Sequence, residues 1–411
     1  MGSRLICLIN KVFLALSRPP DGMQAINKRH QEITPTSAEQ SAIVSLVNKV
    51  KGALQKIAST PDQSASITLE EFREVGSYRK ETMLAAHNVA DIVVVFRSLP
   101  TFEAVSALGQ KIVEDLKASD KEVYSCVSRD FGCEISGPKA VIRILVTTLP
   151  SNAKHLDPDL HCSFPLFTLG ALGRARLLQF AINCTSFFLM RNTCTVSDVI
   201  PDIDSDNFGN AEVIFRLSVK ESIMMAHMAA LRHARWFEEN AATPTIRTLV
   251  RILKDIRGRF EQLSPLSVWI IERLSHYAVM NTPSQKPLTV SQAFRRFFQL
   301  LAAGFLLPSS IAVGDPCERN RRIHQSLTYE QMDQLCSAAQ TLLRIICHGG
   351  YKHVLGLETS KSGLVTEVTF WGDVIVTPLQ AAYTEKVLEP MYEDEKSKSN
   401  SDKSDGMDTH S

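Results

Sequence analysis

The sequence predicts an α+β protein in which a mixed-sheet lobe is followed by an all-helical C-terminal lobe. Three observations predict it. A β-branched run from Ile92 to Val95 is too short for a helix and apolar on both faces, as strands covered on two sides are, and AVIRILVTTL (140–149) reads as another β-branched strand. An amphipathic helical period lies between them, and strand, helix, strand in succession implies an α/β layer. After Phe237 the apolar residues recur at helical spacing almost throughout, which makes the second half helical.

The elements follow in order. From Ser37 one helical face carries Ile43, Leu46, Val47, Val50, Leu54 and Ile57, with Ser37 and Gln40 placed as a capping box. Residues 72–98 carry a Gly-Ser turn and then the buried central strand. Pro100-Thr101 opens a second helix with Phe102, Val105, Leu108, Ile112, Val113 and Leu116 in register. Three later stripes are helical: Ile246 to Ile256, Phe294 to Leu301, and Met332 to Ile346, the last capped by Thr328 with Gln331 and stopped at Gly349-Gly350. Between Cys162 and Ile223 the period fails over a stretch longer than ordinary connections. From about Glu385 the chain is a Lys, Glu, Asp and Ser mixture that cannot offset its ordering entropy. The predicted division is a variable segment 1–27, an α/β lobe 28–161, a poorly ordered insertion 162–223, a helical lobe 224–384 and a disordered tail 385–411.

Composition narrows the function. The 411 residues hold 45 Lys+Arg against 44 Asp+Glu, for a formal charge of +1, and 44% are hydrophobic. That suffices for large cores and argues against a broad nucleic-acid footprint, whose affinity comes from clustered cations on phosphates. Any RNA or DNA contact is then local or indirect. The nine cysteines are scattered, with no C-x-x-C pair of zinc-site spacing, and read as reduced thiols. Asn10 and Lys11 split the apolar N-terminal stretch, so it does not read as a secretion signal, and Ile6 stands where myristoylation needs Ser or Thr. The longest apolar run, 164–190, is broken by Arg174 and Arg176, so no membrane helix is expected.

The segment that carries chemistry is Gly76-Ser77, followed by Val89-Ala90-Asp91 at the start of the central strand. It resembles the signature of template-independent nucleotidyltransferases. In that superfamily a Gly-Ser turn offers backbone N–H groups to a triphosphate, and three strand carboxylates hold two Mg²⁺ ions. Hard, clustered carboxylate oxygens are what Mg²⁺ requires. Here Val89 occupies the first acidic position and Asp91 the second. Aligning Val146–Pro150 with the superfamily's later strand puts Thr147 at the third. The degenerate pocket is therefore Gly76, Ser77, Thr82 and Asp91, with no catalytic residue and no metal expected and at most weak residual NTP or Mg²⁺ binding.

Longer stretches extend the likeness: KRHQEITPTSAEQSAI (28–43), VGSYRKETMLAAHNVADIVVV (75–95), FEAVSALGQKIVEDL (102–116), LDPDLH (156–161), ALRHARWFEENA (230–241), HYAVMN (276–281), LAAGFLLPSS (301–310), DPCE (315–318) and VIVTP (374–378). These resemble the DZF-domain family. The resemblance implies an inactive nucleotidyltransferase fold that heterodimerises with a DZF paralogue carrying double-stranded-RNA-binding domains. It also implies RNA contact mainly through that partner, residence in the nucleus with some in the cytoplasm, and a role in transcription and RNA processing. The alternative is a transferase completed by a partner's carboxylate or by the acidic PDIDSD (201–206). Three departures stand out: an Arg/Gly-rich N-terminal segment expected of vertebrate relatives is missing, Glu81 replaces the family's Gly in K-G-T, and 162–223 interrupts a short junction.

Several features have structural readings beside functional ones. His155, His161 and Cys162 lack a fourth metal partner, and His227 and His233 read as packing residues on a helix. Arg247, Arg251, Lys254, Arg257 and Arg259 form a helix's polar face, with an RNA or partner contact as the second reading. Phe294, Phe297, Phe298, Leu301 and Phe305 exceed one core face, because Leu300, Leu306 and Leu307 extend the apolar surface around the helix. They are the candidate dimer interface.

Overall fold

Apolar runs along two neighbouring strands organise the α/β half. In the computed structural model, which describes residues 22–59, 67–153, 219–308, 310, 313–358 and 363–379, this half holds a five-stranded sheet. Its strands are β1 (Leu69–Val75), β2 (Val89–Phe96), β3 (Ser125–Arg129), β4 (Gly132–Ser136) and β5 (Val141–Thr148), in the order β1-β2-β5-β4-β3. β2 and β5 are parallel and the other pairs antiparallel, so the sheet is mixed. The longer helices among the described residues are α1 (Gly22–Ile33), α2 (Ser37–Ser59), α3 (Phe102–Ser119), α4 (Glu221–Asn240), α5 (Pro244–Arg259), α6 (Val268–Met280), α7 (Val290–Ala302) and α8 (Tyr329–Cys347). A small hairpin, β6 (Thr369–Trp371) and β7 (Val374–Val376), follows. The architecture is α+β, a mixed-sheet unit and then a helical one.

β2 is apolar on both faces because both faces are covered. Ile92, Val94 and Phe96, with Ile142, Ile144 and Val146 of β5, pack against Leu46, Val50 and Leu54 of α2 and Val105, Leu108 and Ile112 of α3. Val93, Val95 and Leu145 face the other way onto Ala230, Leu231 and Ala234 of α4. Two consecutive positions along the strand thus serve two cores. The sequence pattern did not reveal β1, β3 and β4. β1 reads LEEFREV with its charges outward, and β3 alternates exposed with half-buried residues, so neither carries the apolar run that marks a central strand.

Two N-terminal boundaries differ from expectation. α2 is capped one residue earlier than the Ser37–Gln40 pattern suggests. The Thr36 amide donates to the Glu39 carboxylate at 2.7 Å, and the Glu39 amide donates to Thr36 Oγ1 at 3.3 Å. Gln40 turns its side-chain amide to the Pro35 carbonyl instead. α1 belongs with the helical half: Arg29 grips Asp255 of α5 through two N–H groups, at 3.1 and 2.8 Å.

The chain divides into one unit of Thr34–Ala242 and another formed by the residues up to Ile33 and from Thr243 onward. The expected start of the helical lobe at 224 falls inside α4, which packs on the sheet, and its first turn lies in the segment expected to be poorly ordered. A helical period shows that a face is apolar but not which surface covers it, which is why the boundary moves. Residues 1–21, 154–218 and 380–411 lie outside the described residues, and with them His155, His161, Cys162, PDIDSD, most of the predicted insertion and the predicted tail.

In the helical unit the candidate interface is corrected. Phe294, Phe297, Phe298, Leu301 and Phe305 are 3%, 1%, 0%, 2% and 4% exposed, so they form this unit's own core and offer no surface to a partner. Phe298 meets Phe294 and Phe297 edge-on at 5.2 and 5.7 Å, and Phe305 lies 5.1 Å from Tyr277 of α6. The excess of apolar surface on α7 is absorbed because the helix is covered by α5, α6, α8 and α1 within one unit. Phe297→Ala is expected to destabilise the helical unit by about 3–5 kcal/mol, the usual cost of truncating a buried Phe. Denaturant unfolding followed by circular dichroism checks this, and an unchanged midpoint would refute the core assignment.

Candidate functional site

The turn after β1 is built around a carboxylate. Val75 pairs with Asp91 across the β1–β2 ladder, and the chain then enters a helical turn, Gly76–Arg79. Gly76 has φ 68°, and a Cβ there would collide with Asp91 Oδ2, so both backbone conformation and close approach require glycine. The Ser77 carbonyl accepts the Thr82 amide at 2.9 Å, and the Gly76 carbonyl accepts the Lys80 amide at 3.2 Å. Thr82 is fully buried. Side chains fasten this turn to α4: Arg79 pairs with Glu238, and Lys80 lies buried with its ammonium 5.5 Å from the centre of the Phe237 ring.

Glu81 adopts φ 56°, the left-handed region that favours glycine. This accounts physically for the glycine that the family resemblance places there. Glu81→Gly is expected to leave stability level or to raise it by up to about 1 kcal/mol, whereas Glu81→Ala keeps the backbone cost and gains nothing. Melting temperatures of the three proteins decide it, and a clear loss in the Gly variant would contradict the argument.

Asp91 has a partner that sequence reasoning missed. Parallel pairing sets Asp91 of β2 level with Arg143 of β5, and antiparallel pairing sets Arg143 level with Glu134 of β4. Level residues share a sheet face. Arg143 Nε donates to Asp91 Oδ1 at 2.6 Å, and Glu134 lies 3.7 Å from Arg129 at the end of β3. The row across β2, β5 and β4 therefore reads minus, plus, minus, with Arg129 reaching Glu134 from a diagonal position on β3. A single Arg in an otherwise apolar strand was the signal available in AVIRILVTTL, but register was needed to interpret it.

The same register corrects the third acidic position. Thr147 is level with Val95, not with the start of β2, and is fully buried with its hydroxyl donating to the Met224 carbonyl at 3.0 Å. Four residues of strand, about 13 Å, separate it from the level of Asp91. The β5 positions level with Val89 and Asp91 are Val141 and Arg143. These donors do not fit two Mg²⁺ ions: among the described residues the row offers Asp91 already bound to a guanidinium, and Glu134 beyond it. A cation placed beside Asp91 would meet the positive charge of Arg143.

His227 of α4 closes the other end of this face. Its Nδ1 lies 2.7 Å from the Val146 carbonyl, which can only accept, so the neutral ring carries its proton on Nδ1. Burial lowers its pKa below the ordinary 6.5, against the opposing pull of that carbonyl and of Asp91 and Asp130. The folded state thus binds fewer protons than the unfolded chain just below 6.5, and the stability this group contributes is present above that pH and lost as pH falls through the folded value. His227→Gln is expected to reduce the drop in melting temperature of the sheet unit on acidification below about 6.5. An identical drop in the variant would remove His227 from the account.

The basic stripe expected on α5 is partly tied internally. Arg257 donates to the Ser264 carbonyl at 3.2 Å, and Arg259 to the Val354 carbonyl at 2.7 Å and to Asp255 at 3.2 Å. Among the described residues no helix is long and apolar enough to cross a membrane.

The candidate site is thus a Gly-Ser turn leaning on a strand-borne aspartate, set on a mixed sheet in a chain whose other unit is helical. Residues 21–170 match the DZF N-terminal domain and residues 245–377 the DZF C-terminal domain. The chain belongs to the DZF-domain family. Among solved structures it is similar to E. coli MS115-1 CdnC in its complex with HORMA-deltaN, at 12% identity and a TM-score of 0.49 over 81% of this chain and 93% of that one. It is also similar to the Cid1 poly(U) polymerase, at 11% identity and a TM-score of 0.42 over 80% and 94%.

Proposed function

We propose that this chain is a catalytically inactive DZF subunit. Its nucleotidyltransferase-like unit is a rigid platform, and it pairs with a DZF paralogue carrying double-stranded-RNA-binding domains. RNA is engaged mainly through that partner, in the nucleus and to a lesser extent the cytoplasm, in RNA processing and transcription. The sequence stretches that resemble the family resemble in particular interleukin enhancer-binding factor two, the forty-five-kilodalton nuclear factor, and the same role is proposed here. The observation that carries the inactive reading is the Asp91–Arg143 pair, which neutralises the carboxylate left at the metal positions. The formal charge of +1 supports indirect RNA contact.

Purified chain, alone and with its co-purified partner, is expected to give no product with Mg²⁺ or Mn²⁺, labelled NTPs and an oligoribonucleotide. Affinity purification from cells is expected to bring down a stoichiometric partner with double-stranded-RNA-binding domains. Extension of the oligonucleotide that disappears on Asp91→Ala would overturn inactivity and favour a transferase completed by its partner; a chain recovered without any such partner would overturn the assembly.

A further inference from the structure

The β3–β4 hairpin brings two of the nine cysteines together. Cys126 is level with Ile135 and Cys133 with Ser128, so the two hold diagonal positions on the hairpin face covered by α3. α3 crosses there at Gly109, a residue with no side chain to fill the space. A Cβ on Gly109 would collide with Cys126 Sγ and lie 3.2 Å from Cys133 Sγ, so both sulfurs converge on the gap that this glycine leaves. Cys133 is fully buried and Cys126 half-buried, which leaves one member of the pair within reach of a small solute.

We propose that Cys126 and Cys133 are a redox-modification site, forming a reversible intramolecular disulfide beneath α3 in response to a peroxide oxidant. The environment assigns distinct roles to the two sulfurs. Cys126 is the more exposed sulfur and Cys133 is fully buried beneath α3, so a small oxidant reaches Cys126 first. The neighbouring Cys133 side chain holds the Cys126 thiol below its ordinary pKa, and Cys133 is pushed well up. Cys126 is therefore the attacking thiolate and Cys133 the resolving thiol. The Cys126 thiolate attacks one peroxide oxygen and the O–O bond breaks, giving a sulfenic acid and hydroxide. The Cys133 sulfur then attacks the Cys126 sulfur; the S–OH bond breaks and water leaves with the Cys133 proton. Two thiols lose two electrons in all, and hydrogen peroxide is reduced to water. Exchange with a dithiol returns the bridge to two thiols.

The sequence makes the test clean. Arg129 lies between the cysteines, so trypsin releases Cys126 in residues 122–129 and Cys133 in residues 130–139. The folded, full-length chain is treated with hydrogen peroxide, unfolded in N-ethylmaleimide, and digested without reductant. Most of the signal of both peptides is expected as one linked species two hydrogens lighter than their sum, lost after dithiothreitol. Cys133→Ala is expected to leave Cys126 trapped as a sulfenic acid that reacts with dimedone, and Cys126→Ala to leave Cys133 unoxidised. Both peptides recovered as maleimide adducts, or Cys126 joined indiscriminately to other cysteines, would overturn the proposal. The wild-type result decides it even where a variant folds poorly, and mass rather than activity is the readout.

Discussion

The charged row on the sheet face that α4 covers depends on one parallel register, that of β2 with β5. It sets Asp91 beside Arg143, and through β4 it sets Arg143 beside Glu134. A charge-assisted bond at 2.6 Å then holds the carboxylate in place. A shift of that register by one residue would turn Asp91 or Arg143 into the apolar core under α2 and α3, and would bring Ile92 or Ile144 out of it. The two-sided burial of Val93 and Val94 therefore fixes the register, and the register fixes the electrostatics.

The central features were legible because they have strong periods. The both-face apolar run of β2, the α3 stripe from Thr101 onward and the Thr328–Gln331 box of α8 all emerged as the sequence implied. What was not legible required a partner. β1 and β3 carry their charges and small residues outward and become strands only against β2 and β4. The assignment of α4 to the sheet rather than to the helical unit depends on Ala230, Leu231 and Ala234 meeting Val93 and Val95, which no single-helix pattern encodes. Within the site, Gly76 and Asp91 could be read from spacing. Arg143 could not, because its meaning lies in which residue stands beside it, and Thr147 was misplaced for the same reason.

The helical unit makes the complementary point about apolar excess. A helix with two hydrophobic faces suggests a missing partner chain, yet Phe297 and Phe298 find their partners within the unit. Deep burial brings polar groups with it: Arg296 of the same helix, 8% exposed, donates to the Ala278 carbonyl and lies 5.9 Å from the Tyr277 ring. Such a side chain buries its methylene stem with the core while its head finds a carbonyl and a π-face. The proposed partner must therefore use a surface other than the α7 stripe.

A turn and an aspartate that resemble a catalytic signature need not be kept by catalysis. Gly76 is required because its φ is positive and because Asp91 fills the space where a side chain would be. Asp91, in turn, is the anchor for Arg143, and its side chain is 13% exposed against 45% for Arg143, so removing Arg143 leaves the more enclosed carboxylate without its cation. Lys80 and Arg79 fasten the same turn to α4 through Phe237 and Glu238. The turn is thus held by folding interactions with β2 and α4. The packing of β1, β2, β5 and α4 is thus sufficient to account for glycine at 76 and aspartate at 91.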